Sequence, residues 1–290
     1  MFESPHLFDK YGVVMISVIF PAKNEEDSVE ELHRRIKAAL ESIGEPYEII
    51  AVDDGSTDGT AAKLRALSPI KIITFARNYG QSLALDAGIQ AAKGDIIVIT
   101  DADLQNDPAD IPIMLKKLGE GYDAVVGWRR DRRDALGRLI LSRLANWLAR
   151  KVTGLEIHDH AGGLKVFKKK FIEGVRLYGE MHVFLAAILN FRGAKIAEVE
   201  VRHHGRSSGV SKHSFLKAVK NIADLLTIKF LMSTSRPLVF FGGVGLLSWL
   251  VGGIAAAAAA ALKIYGLRNL GQTPLPIIAS LFIIVGFFLI

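Results

Sequence analysis

Asp101, Asp103 and Gln105 stand on alternate residues directly after the apolar run Ile96-Ile97-Val98-Ile99. Two carboxylates and an amide are oxygen donors of the kind that Mg²⁺ or Mn²⁺ prefers, with positions left over for phosphate oxygens. A short β-branched run is expected of a strand covered on both faces, and open α/β sheets bind ligands beyond the carboxyl ends of such strands. If the backbone stays extended through Gln105, side chains two apart share a face and the three groups converge on one cation. The same residues also suit a solvated acidic turn capping the next helix.

A second acidic turn, Asp53-Asp54-Gly55-Ser56-Thr57-Asp58-Gly59-Thr60, follows another apolar run. Its glycines permit tight turns, and its carboxylates at a strand end can accept hydrogen bonds from a nucleobase or ribose. An EF-hand fails here, because the position that needs a bidentate glutamate is Arg65. The P-loop and dinucleotide glycine patterns are missing. A haloacid-type phosphatase would want its Asp-x-Asp on an early strand, with a threonine following. His158, His160 and His182 show no zincin spacing, so a zinc site is not supported.

Strands and helices in alternation must carry these turns. Met15 to Phe20, Glu48 to Val52, Ile70 to Phe75, Ile96 to Thr100 and Ala124 to Gly127 read as strands. Asp27 to Ile43, Gly59 to Leu67, Gln81 to Ala92 and Pro108 to Leu118 read as helices, with caps such as Asp58 and Asp107-Pro108. Val199 and Val201, alternating with Glu198 and Glu200, suit a half-exposed strand. The alternation predicts an α/β domain built on a mostly parallel sheet.

Composition divides the chain of 290 residues, half of it hydrophobic. Leu238 to Leu262 holds no charged residue and exceeds the roughly 20 residues that cross a bilayer core. Pro274 to Ile290 supplies a second apolar stretch after the polar connector Lys263 to Thr273, which predicts a two-helix transmembrane hairpin. Met1 to Gly12 lacks the apolar core of a signal peptide. Lys217, Lys220, Lys229 and Arg236 precede the first span, which predicts an integral membrane protein with its soluble domain on the cytoplasmic side. Cysteine is absent, which excludes disulfides and thiolate chemistry. The formal charge of +6 suits an enzyme that handles phosphates beside anionic lipid, and no nucleic-acid signature accompanies it.

Taken together, Pro21-Ala22-Lys23-Asn24-Glu25, the Asp53 to Thr60 turn and Asp101-Ala102-Asp103-Leu104-Gln105 resemble the family 2 glycosyltransferases of the Rossmann-like GT-A fold. The chain is most similar to the polyprenyl-phosphate transferases, the dolichol-phosphate mannosyltransferase group and its bacterial undecaprenyl-phosphate relatives. That resemblance implies inverting transfer of one sugar, expected to be a hexose, from a UDP- or GDP-sugar to a polyprenyl phosphate. It places Pro21, Lys23, Glu25, Asp53 and Asp54 on the nucleoside, with Arg77 and Glu180 as further nucleotide or sugar contacts. Asp101, Asp103 and Gln105 then become ligands of Mg²⁺ or Mn²⁺ under the diphosphate. Asp159, before Gly162-Gly163-Leu164, is another candidate for the sugar hydroxyls. Arg129 and Arg143 are implied to hold the acceptor phosphate. Arg206-Ser207-Ser208-Gly209-Val210-Ser211-Lys212 is implied to engage phosphates through Arg206, Ser211 and Lys212. Asp103, Arg129 and Arg206 are the expected catalytic residues. A processive polysaccharide synthase would carry a Gln-x-x-Arg-Trp segment and more spans, and a non-catalytic membrane scaffold would not need the ligand set. The family includes monomers and tetramers, so a homo-oligomer is compatible with the resemblance.

The expected organisation is an N-terminal segment over 1–14, a catalytic domain over 15–212, a juxtamembrane helix over 213–236 and the hairpin over 237–290. Within the catalytic domain, 136–152 places Leu136, Ile140, Leu144, Trp147 and Leu148 on one face. Phe215, Val219, Ile222, Ala223 and Leu226 repeat the pattern. Both suit helices lying at the bilayer surface, or packing on the soluble core.

Overall fold

The computed structural model describes residues 14–130, 147, 149–204, 227, 230 and 237–289. The chain divides into two compact units, Met1–Met232 and Ser233–Ile290.

In the first unit a seven-stranded sheet is built from β1 (Ile16–Ala22), β2 (Tyr47–Asp53), β3 (Lys71–Thr74), β4 (Ile96–Ile99), β5 (Ala124–Trp128), β6 (Lys165–Lys168) and β7 (Ile196–Glu200). Their order across the sheet is β3-β2-β1-β4-β6-β5-β7. All neighbours run parallel except β6, which is antiparallel to both β4 and β5. The reversal brings the start of β6 to the same sheet edge as the ends of β1, β2, β4 and β5. The strand Lys165-Val166-Phe167-Lys168 was not expected from the sequence, where four residues flanked by lysines carry little strand signal.

Helices cover both faces, which explains why the central strand β4 is apolar and buried at every position. Ile16, Val18 and Phe20 of β1 pack with Leu32 and Ile36 of α1 (Val29–Glu41) and Met114 and Leu115 of α4 (Ile111–Gly119). Ile19 and Ile97 point the other way, toward Leu85 and Ile89 of α3 (Gln81–Ala91) and Leu185 and Ile188 of α5 (Leu185–Phe191). A further helix, α2 (Thr60–Ala66), buries Leu64 and has Asp58 accepting from the Thr60 amide at 3.0 Å.

The second unit is a hairpin of α6 (Pro237–Ile264) and α7 (Leu275–Leu289). The indole N–H of Trp249 donates to the Ile283 carbonyl at 3.1 Å, and Phe287 meets the same ring edge-on. Gly286 fits directly beneath that indole, where a Cβ would lie 2.2 Å from it. Val239–Ile264 is long and apolar enough to cross a membrane. At 15 residues α7 is shorter, and spans about 22 Å against a hydrocarbon core of about 30 Å. Leu246, Leu250, Ile254 and Phe288 are exposed, as lipid-facing side chains would be.

The expected helix over 136–152 lies mostly outside the described residues, although 149–153 are helical. Most of the expected helix over 213–236 is also outside them.

Candidate functional site

The site forms at the carboxyl edge of β1, β2 and β4, where three loops interlock through hydrogen bonds. After β1, the Lys23 ammonium donates to the Gly55 carbonyl at 2.6 Å, and the Asn24 carboxamide accepts from the Thr57 amide at 2.8 Å. Glu26 accepts from the Gly59 amide at 2.7 Å, and the Glu25 amide donates to the Thr60 hydroxyl at 2.8 Å. Asn24 adopts a left-handed backbone at φ 56°, which asparagine tolerates. The Pro21 to Glu25 segment is thereby clasped to the Asp53 turn.

Asp53 and Asp54 are both buried, and they do different things. Asp53 accepts from the Ser56 amide at 2.9 Å and so shapes its own turn. Both oxygens of Asp54 accept from the next loop, at 2.7 Å from the Tyr79 amide and 2.9 Å from that of Gly80. Gly55, at φ +64°, leaves room for that loop: a Cβ there would lie 2.5 Å from the Arg77 carbonyl carbon. Arg77 itself is exposed, with its guanidinium over the Tyr79 ring at 4.9 Å. Asp54 thus holds the Arg77 to Gly80 turn, an anchoring part that its position in the motif did not announce.

Strand β4 ends at Ile99, earlier than an extended arrangement of Asp101, Asp103 and Gln105 requires. The chain bends from Ala102 to Leu104, and Leu104 is left-handed at φ 57°. Asp103 closes this bend by accepting from the Gln105 amide at 3.2 Å. Buried Ala102, with Leu104 packed against the core behind it, leaves Asp101, Asp103 and Gln105 half-buried. The extended-strand argument for their shared face therefore fails, because the backbone turns between Asp101 and Gln105.

Asp101 is held from both sides. The Gln81 amide donates to Oδ1 at 2.8 Å, and the Asn106 amide donates to Oδ2 at 3.3 Å. Burial and then the Asp103 charge push its carboxyl above the usual range, opposed by Lys165, Arg129 and the Gln81 amide. Lys165 opens β6 with its ammonium buried against the Gly162 carbonyl. Burial lowers this ammonium to about 8, against the pull of Asp101 and Asp159.

Arg129, after β5, places its guanidinium fork on Asp159 with contacts of 2.7 and 3.1 Å, and donates to the Ala161 carbonyl at 3.1 Å. The pair is nearly dry, with side-chain exposures of 11% and 4%. Trp128 stacks on His158, whose ring meets Glu198 at 2.8 Å. Arg130 is exposed and pairs with Glu200 at 3.4 Å. Burial pushes His160 down to about 4, which keeps its ring neutral. Glu180 stands near the start of α3, where neighbouring His182 meets the Ser82 hydroxyl at 2.8 Å. Beyond β7, the His204 amide donates to the Gln105 carbonyl at 2.9 Å, and Arg202 grips Asp110 at 2.7 Å. Arg143, Arg206, Ser211 and Lys212 lie outside the described residues.

Among the described residues, no group of three or more His, Cys, Asp and Glu side chains could hold a metal ion. The donor set here is different, two carboxylates and an amide. It fits a hard cation that takes its remaining ligands from phosphate and water. Asn106 Oδ1, buried and without a hydrogen-bond partner among the described residues, is a further oxygen of the same type.

Comparison with known proteins decides the family. The profile of glycosyl transferase family 2 matches residues 17–176, from the start of β1 through the Arg129–Asp159 pair and β6. The chain belongs to glycosyl transferase family 2. It is therefore a glycosyltransferase, and the mixed sheet with its acidic turns is that family's GT-A fold. Similar relatives include the dodecaprenyl-phosphate galacturonate synthase of Rhizobium johnstonii, 41% identical over 80% of this chain and 71% of its own. The undecaprenyl-phosphate 4-deoxy-4-formamido-L-arabinose transferase of Pectobacterium carotovorum is 35% identical over 93% and 84%. Among solved structures, glucosyl-3-phosphoglycerate synthase from Mycobacterium tuberculosis, in complex with Mn²⁺ and UDP-glucose, matches the fold with a TM-score of 0.63. It is 23% identical, over 79% of this chain and 83% of its own.

Lys165 and Asn106 had not been singled out in the sequence as parts of the site, and Gln81 had been read only as part of the Arg77 to Gln81 nucleotide or sugar contact. Gly162-Gly163 was the available signal, since paired glycines suggest close approach of backbone to another group.

Proposed function

We propose that this glycosyltransferase moves one sugar from a UDP- or GDP-sugar to a polyprenyl phosphate at the cytoplasmic face of a membrane. The observation that carries the reading is the meeting of Asp101, Lys165 and the Arg129–Asp159 pair at one sheet edge, in a chain that also holds a membrane-length helix. Charges for a departing diphosphate and for an incoming phosphate are thus gathered within Coulombic reach of one another. The two bacterial relatives, named for prenyl-phosphate substrates, support the acceptor class. Their sugars, a galacturonate and a formamido-arabinose, widen the expected donor class beyond neutral hexoses.

In this reading Lys23, Asp53 and the clasped turn around them bind the nucleoside, with Pro21, Glu25 and Arg77 alongside. Asp101, Asp103 and Gln105 would hold Mg²⁺ or Mn²⁺, which neutralises charge developing on the diphosphate. Asp159 and Glu180 orient the sugar. Arg129, with Arg143, Arg206, Ser211 and Lys212, takes the acceptor phosphate, since guanidinium forks match phosphate oxygens. A phosphate monoester is already anionic near neutral pH, so its oxygen can attack the anomeric carbon without a protein base. A C–O bond forms to that oxygen as the bond to the nucleoside diphosphate breaks, inverting the centre. Positioning and electrostatics supply the acceleration.

The test is a panel of UDP- and GDP-sugars against undecaprenyl and dolichyl phosphate, with Mg²⁺, Mn²⁺ or EDTA. One donor is expected to give a lipid-linked sugar that EDTA abolishes. Transfer to a soluble acceptor in preference to every lipid phosphate would overturn the reading.

A further inference from the structure

Gln81 is the first residue of α3, and it reaches across to the loop that follows β4. Its carboxamide donates to Asp101 Oδ1 at 2.8 Å, while Asn106 donates to Oδ2 at 3.3 Å. Gly163 closes the third side, where a Cβ would fall 2.0 Å from Asp101 Oδ2 and 2.4 Å from Asn106 Nδ2. The carboxylate is thus bracketed by two amides and a wall that admits no side chain. Gln81 is itself held, because the two preceding residues give their amides to Asp54. The following residue, Ser82, is bonded to His182.

We infer that Gln81 is a positioning residue for the metal site, delivered by the Asp54-anchored turn to fix the orientation of Asp101, with Asn106 and the bare Gly163 completing the bracket. This rests on the metal role given to Asp101 above. A ligating carboxylate must keep one lone pair turned toward the cation, and hydrogen bonds to its other lone pairs fix that rotation. The arrangement also joins the two halves of the donor site. Asp54 follows β2 on the nucleoside side of the proposed site, Asp101 follows β4 on the metal side, and Tyr79-Gly80-Gln81 links them by hydrogen bonds to both.

The experiment uses the full chain in detergent and follows free Mn²⁺ by electron paramagnetic resonance. Gln81→Leu keeps the bulk and removes the donor, and is expected to weaken Mn²⁺ about 10-fold, the lower end for loss of an outer partner. Its melting temperature and its binding of the phosphate-free nucleosides uridine and guanosine are expected to match the wild type. Gly163→Ala, which forces the Asp101 carboxylate to turn, is expected to weaken Mn²⁺ at least as much. In that background Gln81→Leu should add little, because both act through one carboxylate. Wild-type Mn²⁺ affinity in Gln81→Leu, or a loss that adds fully to that of Gly163→Ala, overturns the inference alone. A loss matched by weaker nucleoside binding and a lower melting temperature also overturns it, since that is general disorder. Absence of Mn²⁺ binding by the wild-type protein removes the metal reading of Asp101, and this inference with it.

Discussion

The two sides of the site are held together by different forces. The proposed donor side, around Lys23, Asp54 and Asp101, is a lattice of short hydrogen bonds, many of them from backbone amides to carboxylates. The proposed acceptor side, around Arg129, rests on a nearly dry ion pair with Asp159 and a buried lysine. Backbone donors need no side-chain ordering of their own, and here they come from loops that clasp one another. A buried ion pair is costly to desolvate and costly to break, but its guanidinium can exchange one anionic partner for another. A preformed donor cradle beside an exchangeable cation suits a reaction in which the sugar nucleotide binds first and a second phosphate then arrives.

The contrast can be broken at several points, in order of expected effect. Asp103→Ala should cost several kcal/mol of transition-state stabilisation, about 10³-fold in transfer rate, while leaving the melting temperature near wild type. Steady-state assays with saturating metal test this, and undiminished transfer would remove the diphosphate-binding role. Asp159→Asn removes the carboxylate that the Arg129 guanidinium grips in a nearly dry site. It should destabilise the soluble unit by about 3–5 kcal/mol, read by denaturant unfolding. If the acceptor side were an ordinary solvated surface pair, the loss would be under about 1 kcal/mol.

His160 sharpens the same side. Its folded pKa of about 4 lies below the unfolded 6.5, so the unfolded chain binds a proton that the folded chain refuses. Stability from its neutral burial is complete above pH 6.5 and falls as pH drops toward 4. The loss approaches about 3 kcal/mol at the lower end. The difference between wild type and His160→Gln in unfolding free energy, measured from pH 7 to pH 5, should grow with this sign. On the donor side, Asp54→Asn sets an amide against the Tyr79 or Gly80 N–H and should cost about 1–3 kcal/mol. Nucleoside binding should weaken with it.

Much of this was legible in the sequence because the signals were local. The β-branched run of β4, the Asp53 to Thr60 turn and the alternation of strands with capped helices each follow from neighbours along the chain. What escaped depends on residues far apart. Lys165 looks like a solvent-exposed lysine until β6 runs antiparallel between β4 and β5 and buries it under Asp101 and Asp159. The resemblance placed Asp54 on the nucleoside, and nothing local in the sequence announced that its oxygens also bind amides some 25 positions away. The bend at Leu104 was hidden because leucine gives no warning of a left-handed backbone.

The central claim, a donor cradle on one side and an exchangeable acceptor cation on the other, is tested most directly with Arg129→Lys. The lysine keeps the charge beside Asp159 and loses the fork. In transfer assays with purified protein, KM for the prenyl phosphate should rise about 10-fold or more while affinity for the donor nucleotide stays at the wild-type value. Weakened nucleotide binding with an unchanged KM for the prenyl phosphate would contradict the account.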